Sequence, residues 1–393
     1  MAVTINSTPQ AYTPSDNPVW FTFSSDQTAE TNFSFLVEVY VNDSLVANEL
    51  VFPDNGINAR FNAQSYASNA CNAPRVVDVI FTDALNYAQV KIKVIERYGD
   101  PVADGADATS ANVYVFKAAL SNDNFVDYLS SDYAFPGASV NYLSDFPTSQ
   151  NRLVKDYGEQ QRLMAITNEE TGYSFTISLY EADGTLIVTP TAIDVDEYWP
   201  ITIFNFSPEQ IVSFTTITQT NFDNAGYYEI VFSSSLPDLR IDIDRNCVYP
   251  HYKRVHWLSE IGSIESFTFA LISRQAGKIK SFGYERSWGE WDGSDFNLTK
   301  QQGTTIDYAK YSERSIVIES DWVNEYIQHW LSRSLYESPL VYEEIIDDSG
   351  SFSTILIRRK IMNTAWMDKY NLNDMLFKEK ITLGQPSKTS MIL

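Results

Sequence analysis

Apolar and polar residues alternate with a period of two in run after run of this chain. Early examples are residues 19–23 (VWFTF), 32–42 (NFSFLVEVYVN), 89–98 (QVKIKVIERY) and 111–120 (ANVYVFKAAL). In extended backbone successive side chains point to opposite faces, so each run puts one face on a core and the other in water. A chain written this way folds into antiparallel sheets. Between two of the runs, residues 52–74 are polar and turn-rich, opening on Asp54-Asn55-Gly56, which predicts a long loop.

From 122 to 147 the alternation stops, and this stretch reads as a linker-like crossing. Strands resume at 161–166, 173–189, 201–207, 211–218, 227–234 and 239–244, with EADG (181–184) as a hairpin turn. The expected fold class is mainly β, with two antiparallel β-sandwich domains followed by a mixed C-terminal domain holding a sheet and one amphipathic helix. The expected boundaries are 1–120 for the N-terminal sandwich, 121–250 for the middle sandwich with its leading linker, and 251–393 for the C-terminal domain. The 393 residues suffice for several cores, and 44% hydrophobic with only 20% charged residues is the composition of a packed chain.

The one helix is expected over 320–338 (SDWVNEYIQHWLSRSLYES), where Ser320 suits an N-cap and Pro339 stops the pattern. Trp322, Tyr326 and Trp330, with Val323, Ile327, Leu331 and Leu335, give it one broad apolar face. That face is expected to buttress the sheet. Glu325, Gln328 and Arg333 are expected to face a sister subunit.

The formal charge of −23, from 51 acidic and 28 basic side chains, repels phosphate backbones and anionic lipid heads. The start MAVTINSTPQ has no basic or apolar leader, and no apolar run nears the ~20 residues a membrane helix needs. The expectation is therefore a protein used without export and without a membrane partner. Cys71 and Cys247 stand far apart without metal-ligand spacing and are expected to be buried thiols. His251, His256 and His329 have no carboxylate partner placed by the sequence. The acidic stretches 194–197 (DVDE), 242–246 (DIDRN) and 290–295 (EWDGSD) each resemble part of a calcium loop without completing it. Glu285 and Glu290, beside Tyr284, Trp288 and Trp291, permit a glycosidase reading that requires a fixed carboxylate separation. No nucleotide, hydrolase or zinc motif occurs, and no catalytic, cofactor-binding or metal residues and no cofactor are assigned.

The C-terminal third carries a Trp-Leu-x-x-x-Gly-x-x-x-x-Phe-x-Phe phrase, Trp257 to Phe269. A helix then leads into Ser-Pro-x-Val, Ser338 to Val341. With TPSDNPVWFTFSSD and NFSFLVEVYVND near the start, these phrases resemble virion ring or tail-region proteins of crAss-like bacteriophages, over the first 45 and last 140 residues or so. The resemblance implies a non-enzymatic structural subunit of the virion, made in the host cytoplasm. It would form a ring or connector of the portal–tail region, touching copies of itself, the portal and other tail or ring proteins. An acidic wall along which genomic DNA slides without tight binding would suit that place. Against it stand a glycan-binding host-recognition module using SWGEWDG as a stacking platform, and a glycoside hydrolase centred on Glu285 and Glu290.

Overall fold

A computed structural model describes residues 3–392 except 55, 57, 75–78, 136–139, 169–172, 198, 234–235, 246–251, 286–288, 298–304, 347–353, 364–375 and 386–388. The chain forms two compact units. Unit 1 holds residues 1–246, 256–267 and 337–339; unit 2 holds 247–255, 268–336 and 340–393. The architecture is mainly β, with short helices only.

Unit 1 begins with β1 (Thr4–Ser7), β2 (Tyr12–Pro14), β3 (Trp20–Ser24), β4 (Ser34–Val41), β5 (Ser44–Val51) and β6 (Asn58–Asn62). Helix α1 (Gln64–Ala70), β7 (Phe81–Asp83), β8 (Tyr87–Tyr98), β9 (Ala103–Thr109) and β10 (Val113–Phe116) follow. A three-stranded sheet, β1-β3-β6, and a larger one, β2-β10-β8-β4-β5 with β9 on β8, share one core. Phe21, Phe23, Phe35, Val37, Val39, Val90, Ile92 and Val94 fill it, all with 0% of their surface exposed. Every second residue turns inward, as period two requires.

The rest of unit 1 comprises α2 (Asn122–Asp127), β11 (Arg152–Val154), β12 (Arg162–Ile166), β13 (Tyr173–Tyr180), β14 (Leu186–Val195) and β15 (Ile201–Asn205). Then come α3 (Pro208–Phe214), α4 (Gln219–Asn224), β16 (Tyr227–Phe232) and β17 (Leu239–Ile243). The sheets β11-β17-β16-β13-β14 and β12-β15-β7 enclose a second core rich in Phe175, Phe204, Phe206 and Phe232. The segment 211–218, expected as a strand, instead runs from the end of α3 to the cap of α4. Ser207 caps α3 by accepting from the Gln210 amide, and Thr218 closes a capping box with Asn221 on α4.

Two features of unit 1 depart from the reading of the sequence. The sheet β12-β15-β7 is buried on both sides. Leu163, Ala165 and Phe204 face the phenylalanine core, whereas Met164, Ile166, Ile201 and Ile203 meet Tyr12, Phe116 and Leu120 in a third cluster. Its outer strand β7 comes from residues 81–83, within the stretch assigned to the N-terminal sandwich, and pairs with Thr202, Ile203 and Phe204 of β15. The crossing at 122–147 is packed rather than draped: Leu143 is fully buried, and Tyr142 donates to the Pro237 carbonyl at 2.8 Å. A strand of three residues is too short for periodicity to register, and the two faces of a doubly buried sheet erase alternation.

The chain passes between the units along β18 (Lys253–Leu258) and β19 (Ile264–Phe269), each with residues in both. At their turn Gly262 has φ +92°, and a Cβ there would run into the Lys117 carbonyl, so glycine is required.

Unit 2 continues with β20 (Ile272–Glu285), β21 (Glu290–Trp291), β22 (Phe296–Asn297), β23 (Thr305–Glu319), β24 (Val323–Asn324) and α5 (Glu325–Trp330). The last strands are β25 (Val341–Ile346), β26 (Thr354–Ile361), β27 (Leu376–Phe377), β28 (Lys380–Gly384) and β29 (Thr389–Ile392). Its sheet runs β25-β26-β28-β23-β20, with β29 also on β23.

The helix is shorter than expected over 320–338. It spans Glu325–Trp330 and loosens into a π-helical turn at Leu331–Leu335. Its cap is Asn324, whose side chain accepts from the Ile327 amide at 3.0 Å, because Val323 and Asn324 are held extended against Phe377 and Leu376. Ser320 instead joins the sheet, donating its amide to the Glu379 carbonyl. Trp322 therefore lies before the helix, 59% exposed, with Lys378 Nζ 4.5 Å from its ring centre. Trp330, Leu331 and Leu335 are buried as expected, whereas Tyr326 is 62% exposed. Gln328 is fully buried and donates to Ser332 Oγ at 2.7 Å and Glu379 Oε1 at 3.1 Å. A sister subunit has no access to it.

Candidate interaction surface

The features suited to function gather on one edge of unit 2. Strand β20 is 14 residues long, about 45 Å of extended chain. It pairs on one side with β23, through a continuous antiparallel register from Ile272↔Glu319 to Glu285↔Thr305 that shifts once, between Phe282 and Gly283. Among the described residues its other side pairs with no strand. From Arg274 to Ser281 every side chain is exposed, on both faces, and Ile279 reaches 70%. Exposed backbone donors and acceptors on an edge recruit partners unless side chains intervene.

Period two sorts those side chains. Arg274, Lys278, Lys280 and Phe282 share one face, where Lys280 Nζ sits 5.1 Å from the Phe282 ring centre. Phe282 meets Tyr311 of β23 edge to face, centroids 5.4 Å apart at 83°. Lys278, Lys280, Phe282 and Tyr311 line an open depression with Ser312 and Glu313. Arg274, Lys278, Lys280 and Arg314 make no ion pair among the described residues, whereas Lys310 is paired to Asp307 at 3.1 Å.

Beyond the long pairing, β21 and β22 form a small hairpin in which Trp291 stands opposite Phe296, 67% and 53% exposed. Its turn is closed by Asp292, whose carboxylate accepts from the amides of Ser294 at 2.9 Å and Asp295 at 2.8 Å and from the Asn297 side chain. Those bonds, the Asp295 amide first, hold the Asp292 carboxyl below the usual aspartate range. Within EWDGSD the Asp292 carboxylate thus already serves the turn itself.

The other candidates fall elsewhere. Glu285 is exposed at the end of β20 beside Tyr284; the side chain of Glu290 and all of Trp288 lie outside the described residues, as do Cys247 and His251. Cys71 is buried and donates to the Val115 carbonyl at 3.3 Å; burial pushes its thiol up to about 12. His256 is fully buried, and His329 is half-buried with Nε2 4.0 Å from Glu325 Oε1. Within DIDRN, Asp242 pairs with Arg240 and Asp244 with Lys155, both at 2.8 Å. Asp194, Asp196 and Glu197 are exposed. Among the described residues no three His, Cys, Asp or Glu side chains gather where they could hold a metal ion.

A deeply buried ionic group of unit 1 is structural. Arg152 Nη1 donates to Glu265 Oε2 at 2.8 Å, both side chains at most 4% exposed. Ser144 accepts from Arg152 at 2.7 Å and donates to Glu265 Oε1 at 2.6 Å, while Ser263 donates to the same oxygen at 2.8 Å. Both charges are satisfied inside unit 1, which leaves neither free to meet a substrate.

Charge divides along the same line as the fold. Unit 1 carries 35 acidic and 11 basic residues, unit 2 carries 16 and 17, so the −23 of the whole chain belongs to unit 1. Reading the sequence whole missed this. A count per stretch would have found it, since 251–393 holds 17 basic and 19 acidic residues against 11 and 32 in the first 250.

No protein-family model matches the chain, and none of the curated proteins matches it. Among solved structures, the native conformation of E. coli alpha-2-macroglobulin aligns with 81% of this chain and 22% of that one, at 8% identity and a TM-score of 0.20. This chain thus spans about a fifth of that protein's length. Among the described residues no helix is long and apolar enough to cross a membrane.

Proposed function

We propose that the chain is a non-enzymatic structural subunit of a phage virion, a ring or connector protein of the portal–tail region that assembles through β-domain and aromatic-polar contacts. The observation that carries this reading is β20: a 14-residue edge strand, exposed on both faces and followed by a hairpin presenting Trp291 and Phe296. An edge this long is costly to leave unpaired in a soluble protein, and subunits of cyclic assemblies cover such edges with their neighbours. Copies of the chain are the first partner, with the portal and other tail or ring proteins beside them. Genomic DNA passing such a ring would find no phosphate-binding surface on a unit with 24 more acidic than basic residues.

The exposed Trp291–Phe296 pair favours a second reading, a glycan-binding module in which the rings stack on sugar. Native mass measurement with negative-stain imaging of the full chain over a concentration series separates the two. Discrete oligomers, ring-shaped or head-to-tail, are expected. A chain that stays monomeric and binds a polysaccharide, with binding lost in Trp291→Ala, contradicts the structural-subunit reading.

A further inference from the structure

The cations of β20 find a counterpart on unit 1. Three acids along its first large sheet are neutralised at home: Asp43 by Lys91, Asp104 by Arg97 at 2.9 Å, Asp107 by Lys93 at 3.0 Å. Strand β14, an end strand of the second large sheet among the described residues, differs. Glu181 and Asp183 stand in the turn before it, and Asp194, Asp196 and Glu197 at and beyond its end. All five are exposed, and none is in an ion pair among the described residues. The Thr185 amide holds the Asp183 carboxyl below the usual aspartate range, keeping it ionised.

We propose that the cationic edge of β20 in one copy docks on the carboxylate-lined β14 edge of a second copy. This rests on the self-assembly reading above and names its contact. Four cations with no ion pair among the described residues, on a unit of net charge +1, complement five such carboxylates on a unit of net charge −24, and that complementarity steers the copies together. Lys278 and Lys280 reject a second β20 edge, and the five carboxylates reject a second β14 edge. The pairing therefore sets one copy's unit 2 on the next copy's unit 1, and wherever it is not reciprocated within a pair it generates rings or filaments. Pro190 removes a backbone donor from the middle of β14, so side chains rather than a continuous ladder make the contact.

Sedimentation velocity on the full chain tests this with two charge reversals, Lys278→Glu/Lys280→Glu and Asp194→Lys/Asp196→Lys. All four positions are exposed, so thermal melting should match the natural chain, and a variant whose melting is lowered is replaced by Lys278→Gln/Lys280→Gln or Asp194→Asn/Asp196→Asn. Association of the natural chain is expected to weaken between about 50 and 500 mM NaCl. Each variant alone should associate about tenfold more weakly or worse. An equimolar mixture should recover association, since its copies offer each other opposite charges on both edges. Association that ignores salt, or that survives in both variants, overturns the contact while leaving the self-assembly reading standing. A natural chain that is monomeric up to about 100 μM removes that reading and the contact with it.

Discussion

The two units carry opposite charges on their outer strands, acids around β14 of unit 1 and cations on β20 of unit 2. In unit 1 the sheets pack face to face, a middle sheet lies between two cores, and Asp43, Asp104 and Asp107 of the first sheet are paired with cations. In unit 2 the sheet ends in a strand that exposes both faces and three cations with no ion pair among the described residues, with Arg314 on the strand beside it. Both parts thus offer charge outward, of opposite sign. The comparison teaches that overall charge and overall aromatic content describe neither part.

The largest effect should come from breaking the buried charge cluster of unit 1. Arg152→Met leaves Glu265 charged and unpaired in the interior and is expected to cost about 3–5 kcal/mol. Arg152→Met with Glu265→Leu should recover much of that, measured by denaturant unfolding of the unit 1 transition. A single variant as stable as the natural chain would show that the cluster is hydrated rather than buried.

Next comes the helix of unit 2, where the two tryptophans part company. Trp330→Ala should destabilise unit 2 by about 3–5 kcal/mol, because it empties a packed site. Trp322→Ala should cost well under 1 kcal/mol, because that ring is largely exposed beside Lys378. Calorimetry on both decides it, and equal losses would restore the longer helix. Smaller still, Ile279→Thr on β20 should leave melting unchanged within about 0.5 kcal/mol, since its side chain is 70% exposed. At the bottom of the scale, Cys71 should resist iodoacetamide at pH 8 in the folded chain. Its thiol, raised to about 12 by burial, holds almost no thiolate there. Labelling followed by mass analysis of the Cys71 peptide checks this.

Much of the fold was legible because half-buried antiparallel strands carry their own signature. The alternation at 32–42 and 89–98 appears as β4 and β8, adjacent in one sheet. What escaped reading lacked that signature. Strand β7 has three residues, and although the strand at 161–166 was expected, nothing in RLMAI shows that β12 is buried on both faces. The helix was over-read because residue types alone cannot show where the chain leaves the sheet. Trp322 fits the four-residue spacing, yet Val323 and Asn324 are still paired to Phe377 and Leu376. The aromatic tip was visible as SWGEWDG, but its neighbours Lys278 and Lys280 were hidden within a total of −23.

Hydrogen–deuterium exchange of the full chain, compared at concentrations where it is dispersed and where it is associated, tests the central claim most directly. Protection should rise on association within 272–285 of unit 2 and within 181–197 of unit 1, and should fall back in 500 mM NaCl. Protection confined to one of these segments, or appearing at β5 or another edge instead, would contradict the account.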